Sequence, residues 1–387
     1  MSPTTTSRGR AARAFALAAV LATATACVGG TEYTQTTFHP VSEYGSLLNR
    51  VFYNTFAWTM AILVVVLALV AVVVVRFRER PGRSHPRQIH GNTALEIAWT
   101  LIPAVIVTFI AVPTVQAVFS TQRTPVADAL EIEVIGHQWW WEFRYPAQGV
   151  LTANQFHIPI GREIHLRLTS ADVIHSFWLP RIGGKRDVMP QPRTAEGERP
   201  RANHLVFVVD STGRFRGQCA EFCGEAHGIM ALYAVAVQPA EFDAWVTSML
   251  DAPAPGGAPP GAAAPAGSAA AAPAAPVQDT TVQPSSLEEQ GRQLFLTSSC
   301  IACHTVANTT ARGVLGPSLT RLASRPTVGA GAAPMTAENL ERWIRDPQSL
   351  KAGTIMPGTT TGAGGVPPTG LTDEQIRAIA AWLYSLK

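Results

Sequence analysis

The chain has 387 residues, a formal net charge of +3 and 47% hydrophobic residues. That length leaves room for two domains plus membrane segments, and so mild a charge gives no ground for a nucleic-acid partner. The five cysteines, Cys27, Cys219, Cys223, Cys300 and Cys303, all fall where a ligand or an attachment point is expected, so none is left over for a structural disulfide.

In chain order, residues 1–26 carry Arg8, Arg10 and Arg13, then an Ala/Leu-rich run ending Ala24-Thr25-Ala26-Cys27. A basic start, a short apolar core and small exit residues predict a secretory signal peptide. Small residues directly before a cysteine also resemble a lipoprotein signal, with Cys27 lipidated as the mature N-terminus; Ala24 stands where that signal usually has leucine. Ordinary cleavage nearby and an uncleaved first helix are the alternatives. Residues 27–50 read as a polar, extended extracytoplasmic segment. Residues 51–75 are apolar and long enough to span a bilayer as a helix. The following loop, 76–94, holds Arg76, Arg78, Arg80, Arg83 and Arg87 against Glu79, which places it in the cytoplasm by the positive-inside rule. A second span over 95–118 returns the chain outside. Glu96, at the mouth of that span, either caps the helix or has a function, since ionisable residues in spans are functional candidates.

From Leu130 the hydrophobic period becomes two. Leu130–Ile135, Ile158–Leu168 and Met230–Val237 alternate, and Leu205–Val209 is continuously apolar. Short strands between Gly/Pro turns predict an all-β domain over 128–250, of the Greek-key, cupredoxin-like kind that can host a copper site on its end loops. A short helix over 241–250 closes it. Trp139, Trp140 and Trp141 are consecutive, and neighbours on a strand face opposite sides, so at least one is expected near the surface.

The densest chemistry lies in Gly217-Gln218-Cys219-Ala220-Glu221-Phe222-Cys223-Gly224-Glu225-Ala226-His227-Gly228-Ile229-Met230. Thiolate, imidazole and thioether donors together suit copper. Two cysteines allow both sulfurs to bridge a metal pair, with a further ligand needed from another loop; His175 is the candidate. The alternatives are a disulfide or a zinc site, but zinc sites favour other cysteine spacings and do not recruit methionine.

Residues 251–285 are almost entirely Ala, Pro and Gly, which predicts a semi-flexible linker. A helical domain follows over 286–387, opening on Leu287–Phe295 and then Cys300-Ile301-Ala302-Cys303-His304. Cys-x-x-Cys-His is the c-type haem attachment signature: two thiols add to the haem and the adjacent histidine is its axial ligand. Met/His ligation raises the haem potential, so a methionine is expected. Met356, in Gly353-Thr354-Ile355-Met356-Pro357-Gly358, is preferred to Met335, because residues before proline are extended. Met335 precedes the helix around Leu340–Ile344 and reads as a surface or staple residue. An amphipathic helix over Leu371–Lys387 closes the domain.

The segment Gly217–Met230, with His175 upstream, resembles the binuclear copper (CuA) site of cytochrome c oxidase subunit II. From about residue 40 to the C-terminus the chain resembles that subunit with a fused class I cytochrome c domain, as in caa3-type oxidases. The resemblance implies that Cys219 and Cys223 bridge the coppers, that His175 and His227 hold one each, and that Met230 and the Glu221 carbonyl are weak outer ligands. It implies a magnesium ion near the Glu221 carboxylate, with Asp187 as a further ligand, at the interface with subunit I. Trp139 matches the tryptophan between electron donor and coppers, and Glu96 the glutamate at the entrance of a proton path. The sequence departs from the family in a basic, Pro-rich insertion after Pro190.

The implied function is that of subunit II of a haem–copper oxidase in a bacterial cell membrane. Electrons would pass from a cytochrome c-type donor or a bc-type complex through haem c and CuA to the haem a and haem a3–CuB centres of subunit I. Subunit III completes the complex, in which oxygen is reduced to water and protons are pumped. The alternatives are a CuA subunit of a nitric oxide reductase and a stand-alone membrane-anchored electron carrier.

Overall fold

The computed structural model describes residues 35–78, 81–82, 91–190, 202–251 and 286–387. The signal segment with Cys27, most of the cytoplasmic loop, the insertion after Pro190 and the Ala/Pro/Gly stretch lie outside the described residues.

Two long helices, Glu43–Arg76 and Thr93–Ser120, form the hairpin and are apolar enough to cross a membrane. Aliphatic side chains from Ile62 to Val75 face outward along the first. The helices meet through Trp58 stacked on Phe109, with centroids 5.6 Å apart, and through Asn54, whose Nδ2 donates to the Phe109 carbonyl.

The first helix begins at Glu43 rather than at Val51, so the expected extended segment ends at Ser42. Hydropathy misses this start because the opening turns are polar and belong to the β-domain. Ser42 caps the helix by accepting from Gly45 N–H, and its hydroxyl donates to the Ile182 carbonyl. Glu43 accepts from Val208 N–H at 2.7 Å and pairs with Arg123 at 3.0 Å. Val41 N–H donates to the Arg181 carbonyl, and the Val41 carbonyl accepts from Asp210 N–H.

Ten strands make the β-domain: β1 Leu130–His137, β2 Trp140–Tyr145, β3 Val150–Ala153, β4 Gln155–Pro159, β5 Glu163–Ser170, β6 His175–Trp178, β7 Arg186–Val188, β8 Asn203–Val208, β9 Gly213–Cys219 and β10 Ala231–Val237. They form two five-stranded sheets, ordered β3-β2-β1-β5-β8 and β4-β10-β9-β6-β7. The pairs β1/β5 and β4/β10 are parallel and the others antiparallel, so the chain crosses between the sheets as a cupredoxin-like fold requires. The alternating run Ile158–Leu168 is two strands: the chain turns at Gly161, whose φ of +74° suits glycine.

Between the sheets lie Ile132, Val134, Trp141, Phe143, Phe156, Ile164, Leu166, Phe177 and Leu232, all at most 1% exposed. They form one continuous core, whose burial is the main stabilising term. A helix over Pro239–Leu250 covers one end, starting two residues before the predicted one on a Gln238/Glu241 capping box.

The C-terminal domain is built on helices Leu287–Thr297, Ala337–Arg345 and Asp373–Ser385. The first and last cross so closely that a Cβ on Gly291 would lie 1.8 Å from the Ala378 carbonyl oxygen, which requires glycine there. Phe295 packs on Trp382 beside the crossing, with centroids 5.0 Å apart. Met335 stands just before the N-cap Thr336 and packs on the same core as Leu340, at the staple position expected for it.

Candidate metal centres

The candidate copper ligands come from two loops at one end of the β-domain. His175 opens β6; Cys219 ends β9; Cys223, His227 and Met230 occupy the turn before β10. Cys219 N–H donates to the Met230 carbonyl at 3.1 Å, closing that turn as a loop that folds its donors inward.

The two sulfurs stand 3.7 Å apart. His175 Nδ1 is 3.9 Å from Cys219 Sγ, and His227 Nδ1 is 3.5 Å from Cys223 Sγ. Met230 Sδ lies 3.8 Å from Cys223 Sγ, and the Glu221 carbonyl oxygen 3.3 Å from Cys219 Sγ. All six donors named from the sequence are therefore brought together. His175 Nδ1 and the two sulfurs lie within 4.8 Å of one another, in a buried group. One imidazole attends each sulfur, and one weak donor completes each half. This donor set fits a pair of soft, thiolate-bridged metals.

Hydrogen bonds around the ligands fix their orientation. Asp172 accepts from His175 Nε2 at 2.9 Å, which leaves Nδ1 as the ligand atom. Burial opposes a charge on His175, but the hydrogen bonds and charges of Asp172 and Cys219 together outweigh it and raise the ring above the usual imidazole range. Burial likewise opposes ionisation of Asp172, but bonds from His175 and from the Gln138 and Val173 N–H groups hold its carboxyl below the usual range. The hydrogen bond between the two thiols lowers Cys219 and raises Cys223. Metal binding requires both sulfurs to be deprotonated.

Trp139 reaches this loop directly: its Nε1 donates to the Cys223 carbonyl at 3.0 Å, and Gln138 Nε2 donates to the same oxygen at 2.8 Å. Trp141 Nε1 lies 3.3 Å from the Met230 carbonyl. Trp140 is the tryptophan left half-exposed, stacked on His137 with centroids 4.1 Å apart.

In the haem domain, Cys300 and Cys303 are free thiols on a one-turn helix, and His304 follows in extended backbone. His304 Nδ1 donates to the Pro317 carbonyl at 2.8 Å, leaving Nε2 with its lone pair. Burial holds this ring below the usual imidazole range, in the neutral form that ligates metals. Gly316 lies against the ring, where a Cβ would come within 2.7 Å of it. Met356 is half-buried and packs on the domain core. Its loop is held by Gln348, which donates to the Thr354 carbonyl and accepts from Gly353 N–H. Free thiols, a neutral histidine with one committed nitrogen and an inward methionine fit a covalently attached haem.

Other predicted residues stand apart from both centres. Glu96 folds back on its own helix start, where Asn92 N–H approaches its carboxylate at 3.4 Å and Asn92 caps Leu95 N–H. Glu221 and Asp187 are exposed on segments that flank Ser176: the Ser176 carbonyl accepts from Ala220 N–H, and Ser176 pairs with Asp187. Asp172 was not singled out from the sequence, although a carboxylate three residues before a candidate ligand histidine is a usable signal.

A membrane hairpin, a β-domain ending in a two-cysteine, two-histidine, one-methionine loop and a helical domain with a haem-attachment motif together define a membrane-anchored electron-transfer subunit. Comparison with known proteins agrees throughout the chain. Residues 40–117 match the cytochrome c oxidase subunit II transmembrane domain, residues 147–237 its periplasmic domain, and residues 288–387 the cytochrome c family. Cytochrome c oxidase subunit 2 of Alkalihalophilus pseudofirmus is 36% identical over 330 residues, covering 84% of this chain and 82% of that protein. That of Bacillus sp. strain PS3 is 32% identical over 327 residues, 80% of each. The periplasmic domain of subunit II of cytochrome oxidase of Bradyrhizobium japonicum is 33% identical over 33% of this chain and 96% of that structure, with a TM-score of 0.29.

The chain belongs to the cytochrome c oxidase subunit II family, in the caa3-type form that carries a C-terminal cytochrome c domain. It is a membrane protein with extracytoplasmic domains, and it is the subunit through which electrons enter a haem–copper terminal oxidase.

Proposed function

We propose that this chain receives electrons from a cytochrome c-type donor or a bc-type complex and delivers them to the haem a centres of subunit I. The oxidase so formed, with subunit III, reduces oxygen to water and pumps protons. The observation that carries this reading is the joining of the two centres: Trp139 is hydrogen-bonded to the copper loop at Cys223, and its ring packs on Gly353, three residues before Met356.

When bound, the copper pair and the haem supply two one-electron carriers. Cys219, Cys223, His175, His227, Met230 and the Glu221 carbonyl would hold the coppers. Asp172 orients His175 and keeps its Nδ1 available. Cys300 and Cys303 anchor the haem, His304 and Met356 ligate it, and Pro317 sets the His304 tautomer. Trp139 spans the gap between the copper loop and the methionine loop, and there carries electrons across. Glu221 and Asp187 bind magnesium at the subunit I interface. Glu96, at the cytoplasmic end of the second span, opens the proton path into subunit I.

The division of labour follows the chain: a membrane anchor over 51–118, a copper domain over 128–250, a linker over 251–285 and a haem domain over 286–387. Cys27 is the lipidated N-terminus of the mature chain, which lies in a bacterial cell membrane with both redox domains outside.

Optical and EPR spectra of the complex purified through this chain from its native membranes test the reading. A c-type haem band, a mixed-valence binuclear copper signal and haem a bands are expected together. Haem c and CuA without haem a would point instead to a nitric oxide reductase or a lone carrier.

A further inference from the structure

Lys351 is 3% exposed, although its neighbours Ser349, Leu350 and Ala352 read as an ordinary surface turn. It lies where the haem domain meets the copper domain. Its Nζ donates to the Trp139 carbonyl at 2.6 Å and to the Gly329 carbonyl at 2.8 Å. The first acceptor belongs to the copper domain and the second to the haem domain. Removing an ammonium group from water is unfavourable unless its hydrogens find partners, and burial pushes this one down to about 7.

Around Lys351 the two surfaces approach with backbone against side chain. A Cβ on Gly353, at φ +79°, would lie 2.8 Å from both Trp139 Cη2 and Glu225 Oε2. A Cβ on Gly331, at φ +104°, would lie 3.0 Å from Ala231 Cβ. Ala231 N–H donates to the Ala330 carbonyl at 2.8 Å, a backbone hydrogen bond across the same boundary. Ala231 directly follows Met230, and Trp139 is bonded to Cys223, so this seat adjoins the copper loop.

We propose that Lys351 is a positioning residue that seats the haem domain on the Trp139 face of the copper domain. The linker then keeps the haem domain nearby, and Lys351 sets its register. The proposal rests on the reading of two redox centres in one chain, but the seat itself is a contact between protein surfaces.

Hydrogen exchange in the intact purified oxidase tests it, read at the Ala231 amide. That amide is expected to be protected in the unmodified chain. Lys351→Met is expected to accelerate its exchange at least tenfold, while amides of helix Asp373–Ser385 and the c-type and copper spectra stay unchanged. Lys351→Gln, which keeps a donor on a shorter side chain, should fall between the two. Where Lys351→Met loses the c-type band, Lys351→Gln carries the same comparison.

Doubling the 252–285 stretch should lower Ala231 protection by no more than about threefold, the change in effective concentration for a longer tether. Fast exchange at Ala231 in the unmodified chain, or protection unaltered in a folded Lys351 variant, would overturn the proposal. An unmodified complex lacking the c-type band or the copper signal would instead overturn the functional reading and leave the exchange result standing.

Discussion

The two metal centres are built in opposite ways. The copper donors are gathered by the protein: three buried ligand atoms lie within 4.8 Å of one another, and hydrogen bonds from Asp172, Trp139 and Gln138 fix the loops that carry them. The residues expected to hold a haem lie on separate elements: Cys300 and Cys303 on a one-turn helix, His304 just after it and Met356 on a later loop. The group they bind is large and covalently attached. A small ion needs its whole sphere preformed, whereas an attached haem brings its own surface to complete the core. Orientation in the copper domain thus comes from hydrogen bonds behind the ligands; in the haem domain the Pro317 carbonyl orients His304 and covalent attachment would supply the rest.

Removing a ligand at either centre should have the largest effect and should separate them. Cys223→Ser is expected to abolish the binuclear copper EPR signal and leave the c-type band intact, while His304→Ala should do the reverse. Asp172→Asn probes the hydrogen bond behind a ligand: loss of the His175 orientation should lower copper affinity by about 10–100-fold, measured by chelator competition, with the domain still folded. Trp139→Leu should slow haem-to-copper transfer several-fold after rapid reduction of the haem, with both spectra unchanged. An unaltered rate would falsify its bridging role.

The smallest effect is one of pH and centres on a histidine of the copper domain. His157 is pushed down to about 4 by burial and by the charges of Arg214 and Arg321. It stacks on Trp245 with centroids 4.4 Å apart. Its ordinary value is 6.5, so below that pH the unfolded chain takes up a proton that the folded chain refuses. Stability should therefore fall between pH 6.5 and about 4 as pH decreases. His157→Phe should flatten that part of a thermal denaturation profile.

The residues expected at both centres were legible in the sequence because metal chemistry dictates residue type and close spacing, and the structure brings the six expected copper donors together. What spans two segments was not. His175 could be named only because a further ligand was needed, and its hydrogen bond to Asp172 depends on the turn between them. Gly161 divides one alternating run into two strands because a turn there leaves the period-two pattern intact. The first helix begins at Glu43 because its first turn packs on protein, where hydropathy carries no signal. Lys351 was unreadable, since a lysine beside Ala352 and Gly353 looks like any solvated side chain until another domain covers it.

The start of the membrane hairpin also acts on the β-domain it supports. β8 is an outer strand of its sheet, and outer strands offer unpaired N–H groups to other chains. Glu43 takes the Val208 N–H and Ser42 bridges Val209, so the anchor covers the end of that edge. A copper domain cut free of its hairpin would leave this end of the edge uncovered. The start of the hairpin thus shields a sheet edge as well as leading the chain toward the membrane.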